Sequence, residues 1–121
     1  MSVYALRGAT TVEENDREAI LEATREMLGE LLERNSLSAG DLVSAIFTVT
    51  DDLNAEFPAL AAREMGLSAV PLLCAREIPV PGSMPGVIRV LVHYRGADGA
   101  EAQHVYLRRA SELRSDLGSA Q

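Results

Sequence analysis

The chain has no lysine, no tryptophan and a single cysteine among its 121 residues. Without lysine it can use neither a Schiff-base lysine nor the lysine of a phosphate-binding P-loop. One cysteine excludes an intrachain disulfide framework. With only His93 and His104 as histidines, a histidine-rich metal site is not expected. All 11 basic residues are arginines, which we attribute mainly to a biased genome composition.

Long hydrophobic runs are also missing. No stretch approaches the roughly 20 apolar residues that a membrane helix needs, and the first residues show no secretory signal pattern. The net charge of −7 disfavours a general nucleic-acid binder, because such proteins need a basic face. These features predict a cytoplasmic protein without nucleic-acid or membrane partners. The length predicts one domain over residues 1–121, with a tail over residues 112–121.

The spacing of apolar residues predicts five strands and two helices. The strands are expected at residues 2–8, 42–50, 69–75, 86–95 and 103–110. A long helix, capped by Asn15 or Asp16, ends near Arg34, and a short helix spans residues 58–64. The turn at residues 96–99 is expected to join the last two strands as a hairpin. The fold class is therefore α+β, with a mixed five-stranded sheet that carries both helices on one face. The second, apolar face predicts a closed homo-oligomer.

The segment from Pro71 to Arg89 concentrates residues that suit a pocket. An apolar strand leads to Cys74, Arg76 and Glu77, and a loop with three of the chain's five prolines follows. Proline fixes φ, so this loop is stiff. The next strand carries Arg89 among apolar residues, and this charge needs a partner if its face is buried. Polar groups on strand ends and rigid loops are typical of ligand sites.

Outside the long helix, the candidates for chemistry are several arginines, one carboxylate and one tyrosine: Arg7, Arg63, Glu77, Arg89 and Tyr106. Arginine forks match carboxylates in two-point geometry, so this set suits a small polycarboxylate with a hydroxyl. Arg7, expected at the end of the first strand, also fits a surface position, as does Arg63 near the end of its helix. Cys74 has no histidine near it in sequence and is more typical of a core residue than of a nucleophile.

Six segments of the chain form a recognisable series: residues 6–13, 48–59 with Arg63, 70–77, 88–90, 104–107 and 113–117. Taken in order, they resemble the trimeric mixed α/β class of chorismate mutase rather than the all-helical class. Leu60 and Leu73 depart from the family by being apolar, and Ser115 replaces a common proline. The resemblance implies a homotrimer with a barrel-like core of sheets and active sites at subunit interfaces. It also implies conversion of chorismate to prephenate, on the route to phenylalanine and tyrosine, without a metal or other cofactor.

The resemblance implies roles for individual residues, with Arg89, Glu77 and Arg7 as the catalytic ones. Arg7 and Tyr106 would hold a substrate carboxylate. Arg89 would contact the ether oxygen of the breaking bond and a carboxylate, while Glu77 and Cys74 would bind the ring hydroxyl. The other substrate-binding residues would line the pocket or belong to a tail that can order over it: Phe57, Arg63, Leu73, Ala75, Arg76, Leu113 and Arg114.

Two further functions are open on the residues alone. Enamine/imine deaminases are small trimers of similar shape that also place an arginine at a subunit interface. A non-catalytic trimer would bind chorismate or prephenate without converting either. The mutase reaction fits the residues best, because it needs a flexible diacid held in a compact shape beside fixed positive charge.

Overall fold

A mixed five-stranded sheet organises the molecule, and the computed structural model describes residues 1–116, with side chains as far as residue 113. The strands are β1 (Ser2–Thr11), β2 (Leu42–Val49), β3 (Leu72–Arg76), β4 (Val87–Gly96) and β5 (Val105–Tyr106). Their order across the sheet is β3-β2-β4-β1-β5. β4 is antiparallel to both of its neighbours, whereas β3 and β5 pair in parallel with β2 and β1. The predicted mixed sheet and α+β class are confirmed.

Two α-helices pack on one face of this sheet. They are α1 (Arg17–Arg34) and α2 (Pro58–Ala62), and a π-helical turn follows α2 (Arg63–Leu67). Two 3₁₀ helices span Ala39–Asp41 and Arg108–Asp116. Asp16 caps α1, and its carboxylate accepts a hydrogen bond from the backbone N–H of Ala19 at 3.0 Å. Within residues 1–116, none of these helices has the length and apolar character needed to cross a membrane.

The core lies between α1, α2 and the sheet. The buried apolar side chains of α1 recur at helical spacing: Ile20, Leu21, Ala23, Met27, Leu28 and Leu31. Leu32 packs against them and is only partly buried. Gly8 on β1 allows α1 to approach closely, because a Cβ at this position would lie 2.7 Å from Cδ1 of Leu31. This close packing fixes β1, and with it Arg7, against the helix.

The opposite face of the sheet, here called the uncovered face, carries neither α1 nor α2. Arg7, Leu91, Ile46 and Leu73 pair with one another across β1, β4, β2 and β3, so they form one row on it. Leu73 and Val3 are each 62% exposed. The uncovered face therefore exposes apolar side chains, and it also carries the charged side chains of Arg7 and Arg89.

Two sequence-based predictions about the strands are wrong. β5 is only two residues long and pairs in parallel with β1, so it forms no hairpin with β4. The reason is that β1 and β2 already occupy both edges of β4. β1 continues to Thr11, which places Arg7 opposite Leu91 in the middle of the strand rather than at its end.

Candidate active site

Arg89 of β4 and Glu77, the residue after β3, form an ion pair. Nε of Arg89 donates a hydrogen bond to Oε2 of Glu77 at 2.8 Å, and Nη2 donates to Oε1. This is the two-point geometry in which guanidinium and carboxylate match best. The two side chains are 30% and 14% exposed, so the pair is partly withdrawn from water. The partner that Arg89 needs is thus Glu77.

Strand register explains why these residues meet. Thr48 of β2 pairs with Arg89 on one side and with Ala75 on the other. Glu77 lies two residues beyond Ala75 and therefore on the same face of the sheet. The backbone N–H of Glu77 donates to the carbonyl of Val49 at 2.8 Å, which keeps the chain bound to β2 after β3 ends. The hydroxyl of Thr48 then donates to Oε2 of Glu77.

Both members of the pair are charged at neutral pH. The hydrogen bonds from Arg89, opposed by burial and assisted by Thr48, lower the pKa of Glu77 below its usual value of 4.5. The hydrogen bond to Glu77 raises the pKa of Arg89. A carboxyl group with a lowered pKa is poorly suited to general acid or base work near pH 7. The arrangement suits electrostatic stabilisation instead.

A cavity of about 290 Å³, here called the arginine hollow, lies beside the ion pair. Its lining contains two guanidinium groups, one carboxylate and a phenol above an apolar floor: Arg7, Gly8, Ile46, Thr48, Glu77, Arg89, Val90, Leu91 and Tyr106. The structure therefore brings together four residues predicted from the sequence. An adjoining cavity of about 320 Å³ shares Glu77 and Arg89 with it and is lined by Leu113 as well.

A second group of predicted residues lines a different cavity of about 360 Å³ beside edge strand β3, here called the edge hollow. It comprises Phe57, Cys74, Ala75 and Arg76. Phe57 is 66% exposed, and the thiol of Cys74 is free and partly buried. Within one chain, Cys74 and Glu77 therefore line different cavities. Arg76 also lies away from Glu77, as alternation along a strand requires.

Two other predicted residues, Arg63 and Leu73, line neither hollow. Arg63 is exposed at the start of the π-helical turn after α2. Leu73 is exposed on the uncovered face, in the row that contains Arg7. The side chain of Arg114 lies outside the described residues. Within the described part of the chain, no cluster of three or more His, Cys, Asp or Glu side chains is arranged to hold a metal ion.

Two supporting residues were not identified from the sequence. One is Thr48, which donates to Glu77. The other is His104, whose Nδ1 accepts a hydrogen bond from the backbone N–H of Arg7 at 3.0 Å. A threonine in an apolar strand was the only signal for the first. The role of His104 was not predicted because this residue precedes the short strand β5 instead of lying within the longer strand expected from the sequence.

Known proteins resemble the chain over nearly its whole length. The family model described as chorismate mutase type I matches residues 3–117. Chorismate mutase AroH of Thermus thermophilus is 54% identical over 121 residues, covering 98% of this chain and 99% of that protein. Chorismate mutase AroH of Bacillus subtilis strain 168 is 38% identical over 119 residues, covering 97% of this chain and 94% of that protein. A solved chorismate mutase structure from Clostridium thermocellum has a TM-score of 0.88 at 47% identity, covering 91% of this chain and 99% of the other.

Proposed function

The chain belongs to the type I chorismate mutase family and is an isomerase of chorismate, and we propose that the reaction takes place in the arginine hollow. The product would be prephenate, on the route to the aromatic amino acids. The observation that carries this assignment is the convergence of Arg7, Glu77, Arg89 and Tyr106 in one cavity. Two cations and a phenol beside an apolar floor suit a small dicarboxylate with a carbon ring.

The chemistry asks for positioning and charge rather than for a reactive side chain. The ether C–O bond of chorismate breaks as a new C–C bond forms within the same molecule, and no proton or leaving group is exchanged. The protein must hold a flexible diacid in a compact chair. It must also stabilise the negative charge that develops on the ether oxygen, which a fixed guanidinium does without reorganising.

The geometry supports a distinct role for each residue. Arg89 would contact the ether oxygen and a carboxylate, since Glu77 and the central strand β4 fix the direction of its guanidinium. Arg7 and Tyr106 would hold a carboxylate at the other side of the same hollow. Glu77 would orient Arg89 and accept a hydrogen bond from the ring hydroxyl.

We extend the proposal to a cytoplasmic homotrimer with its sites at subunit interfaces. The uncovered face exposes Leu73 and Val3, which a partner subunit would bury. Phe57 and Cys74 line the edge hollow instead of the arginine hollow. In a closed ring, the edge hollow of one subunit can face the arginine hollow of the next, and Arg63 can join it there.

The decisive experiment is an assay of purified protein with chorismate. The ultraviolet absorbance of chorismate should fall as prephenate appears, and light scattering should give three times the 13.0 kDa chain mass. Binding of chorismate without turnover would instead indicate a metabolite-binding trimer. Hydrolysis of imines derived from amino acids, without loss of chorismate, would indicate a deaminase.

A further inference from the structure

His104 supplies a hydrogen-bond acceptor to the main chain of β1. The parallel ladder between β1 and β5 pairs Gly8 with Val105 and Ala9 with Tyr106. Just before this ladder begins, the backbone N–H of Arg7 donates to Nδ1 of His104 at 3.0 Å. The imidazole therefore takes the place of a backbone acceptor at a position that β5 does not reach. Without it, only solvent would be left as a partner for this N–H on the β5 side.

We propose that His104 is a positioning residue for Arg7, whose guanidinium it places in the arginine hollow by fixing the main chain from which that side chain extends. The inference rests on the proposed function, in which Arg7 holds a substrate carboxylate. Groups that orient a substrate act only when their own supports hold them to within a fraction of an ångström. His104 does not line the arginine hollow and so acts through Arg7.

His104 is itself held in place from the end of α1. The side-chain amide of Asn35, the C-cap of α1, donates to the carbonyl of Gln103 at 3.0 Å. The backbone N–H of Gln103 donates back to Oδ1 of Asn35 at 2.7 Å. The same amide also donates to the carbonyl of Leu31 at 2.8 Å. Both the N–H and the carbonyl of Gln103 are thus hydrogen-bonded to the C-cap of α1. These bonds fix the main chain that leads to His104.

The hydrogen bond sets the protonation state of the imidazole. Nδ1 accepts only when it carries no proton, so the neutral ring bears its hydrogen on Nε2. Partial burial and, after it, the charge of Arg7 lower the pKa of His104 below 6.5. Arg7 is the charged neighbour on β1, whereas the side-chain amides of Asn35 and Gln103 are neutral. The acceptor is therefore available at neutral pH and is lost when the ring is protonated in acid.

The kinetic test compares the wild type with His104→Asn and His104→Ala. Oδ1 of asparagine occupies the same place along the side chain as Nδ1 of histidine, so His104→Asn should keep KM for chorismate within about twofold of the wild type. His104→Ala should raise KM about three- to tenfold and lower kcat less than about twofold, because Arg7 binds a carboxylate and not the ether oxygen. An unchanged KM in His104→Ala would overturn the inference, and so would a His104→Asn protein as impaired as His104→Ala.

Gln103→Ala is the matched control. It changes the neighbouring exposed side chain and leaves the main-chain bonds to Asn35 in place. Its KM should equal that of the wild type. An increase in KM as large as that of His104→Ala would mean that any disturbance of this segment weakens binding, and it would refute the specific role of His104.

A measurement without substrate separates this inference from the proposed function. In ¹H–¹⁵N correlation spectra of the wild type, the Arg7 amide resonance should shift as His104 titrates, with a midpoint below 6.5. His104→Asn should abolish this shift. An Arg7 amide that does not respond to pH would overturn the inference even in an active enzyme and even if His104→Ala does not fold. A titrating amide in a protein that does not convert chorismate would refute only the proposed function.

Discussion

Nε of Arg89 donates to Oε2 of Glu77 at 2.8 Å, across a separation of 12 residues in the chain. The pair links the end of edge strand β3 to central strand β4, and Thr48 of the strand between them donates to the same carboxylate oxygen. The cation proposed to act on the ether oxygen is therefore oriented before substrate arrives. Such preorganisation is what makes a fixed charge effective in a site partly withdrawn from water.

Arg89→Ala should remove most of the catalytic power and leave the fold intact. Loss of a preorganised donor to a developing oxyanion costs about 100- to 1000-fold in kcat. Steady-state kinetics with chorismate measure this effect, and circular dichroism checks the fold. Arg95→Ala is a suitable control, because Arg95 is an exposed arginine of the same strand, outside the arginine hollow. Near-normal turnover by Arg89→Ala would refute the role given to this residue.

The ion pair should make the stability advantage of the wild type over Glu77→Gln depend on pH. In the unfolded chain this carboxyl group titrates near 4.5, and in the folded protein it titrates lower. Its contribution to the free energy of unfolding is fully present above pH 4.5 and is lost as the pH falls through the folded pKa. Other acidic groups are common to both proteins and largely cancel.

Urea unfolding of both proteins at neutral pH and well below pH 4.5, at one protein concentration, measures this difference. The wild type should lose more stability on acidification than Glu77→Gln does. Equal losses in the two proteins would contradict the lowered pKa of Glu77.

Gly86 should tolerate no side chain, whereas Gly82 in the same proline-rich loop should tolerate one better. Both have positive φ, at 68° and 86°. A Cβ on Gly86 would lie 2.5 Å from the carbonyl oxygen of Val12, a backbone atom that cannot yield easily, whereas Gly82 has open space. Gly82→Ala should cost about 1 kcal/mol from φ alone. Gly86→Ala should cost clearly more and should also reduce turnover, because Gly86 leads into β4 and Arg89.

Thermal unfolding and chorismate kinetics on both variants test this contrast. Asp52 strengthens the expectation, because its carboxylate accepts a hydrogen bond from the backbone N–H of Gly86 at 3.0 Å. If Gly82→Ala and Gly86→Ala lose the same stability, the close approach to Val12 has no consequence.

Mixed trimers should recover activity if each site takes Arg89 from one subunit and Arg63 from the next. Arg89→Ala and Arg63→Ala proteins should each be impaired alone. After they are unfolded together and refolded in equal amounts, every mixed trimer contains one intact site of three. Random assembly would then restore roughly a quarter of wild-type sites. Mixed trimers without any gain in activity would place both residues in a site within one subunit.

The sequence predicted the individual helices and strands better than it predicted which strands pair with one another. α1 was found at nearly its full extent, because its buried residues recur at the helical period and Asp16 marks its start. The predicted hairpin between β4 and β5 was wrong, because β1 is hydrogen-bonded to the edge of β4 at which β5 would have to pair. Strand pairing depends on segments that are distant in the sequence. Local patterns carry no information about such competition.

The residues of the candidate site were likewise predicted from the sequence only in part. Arg7, Glu77, Arg89 and Tyr106 were selected by residue type and by the family resemblance, and they line one cavity. Thr48 was missed because its contact with Glu77 depends on the register of β2 against β3 and β4. The residues of the edge hollow were also predicted to belong to the site. The pattern of one strand could not show that they line a cavity separate from the arginine hollow.

The central position of β4 bears on how the enzyme should respond to heat. Arg89 lies on a strand that is hydrogen-bonded to β2 on one side and to β1 on the other. Amide hydrogens of such a strand exchange with solvent only when the whole structure opens. Thermal inactivation should therefore coincide with global melting, with no earlier loss caused by local fraying around the guanidinium.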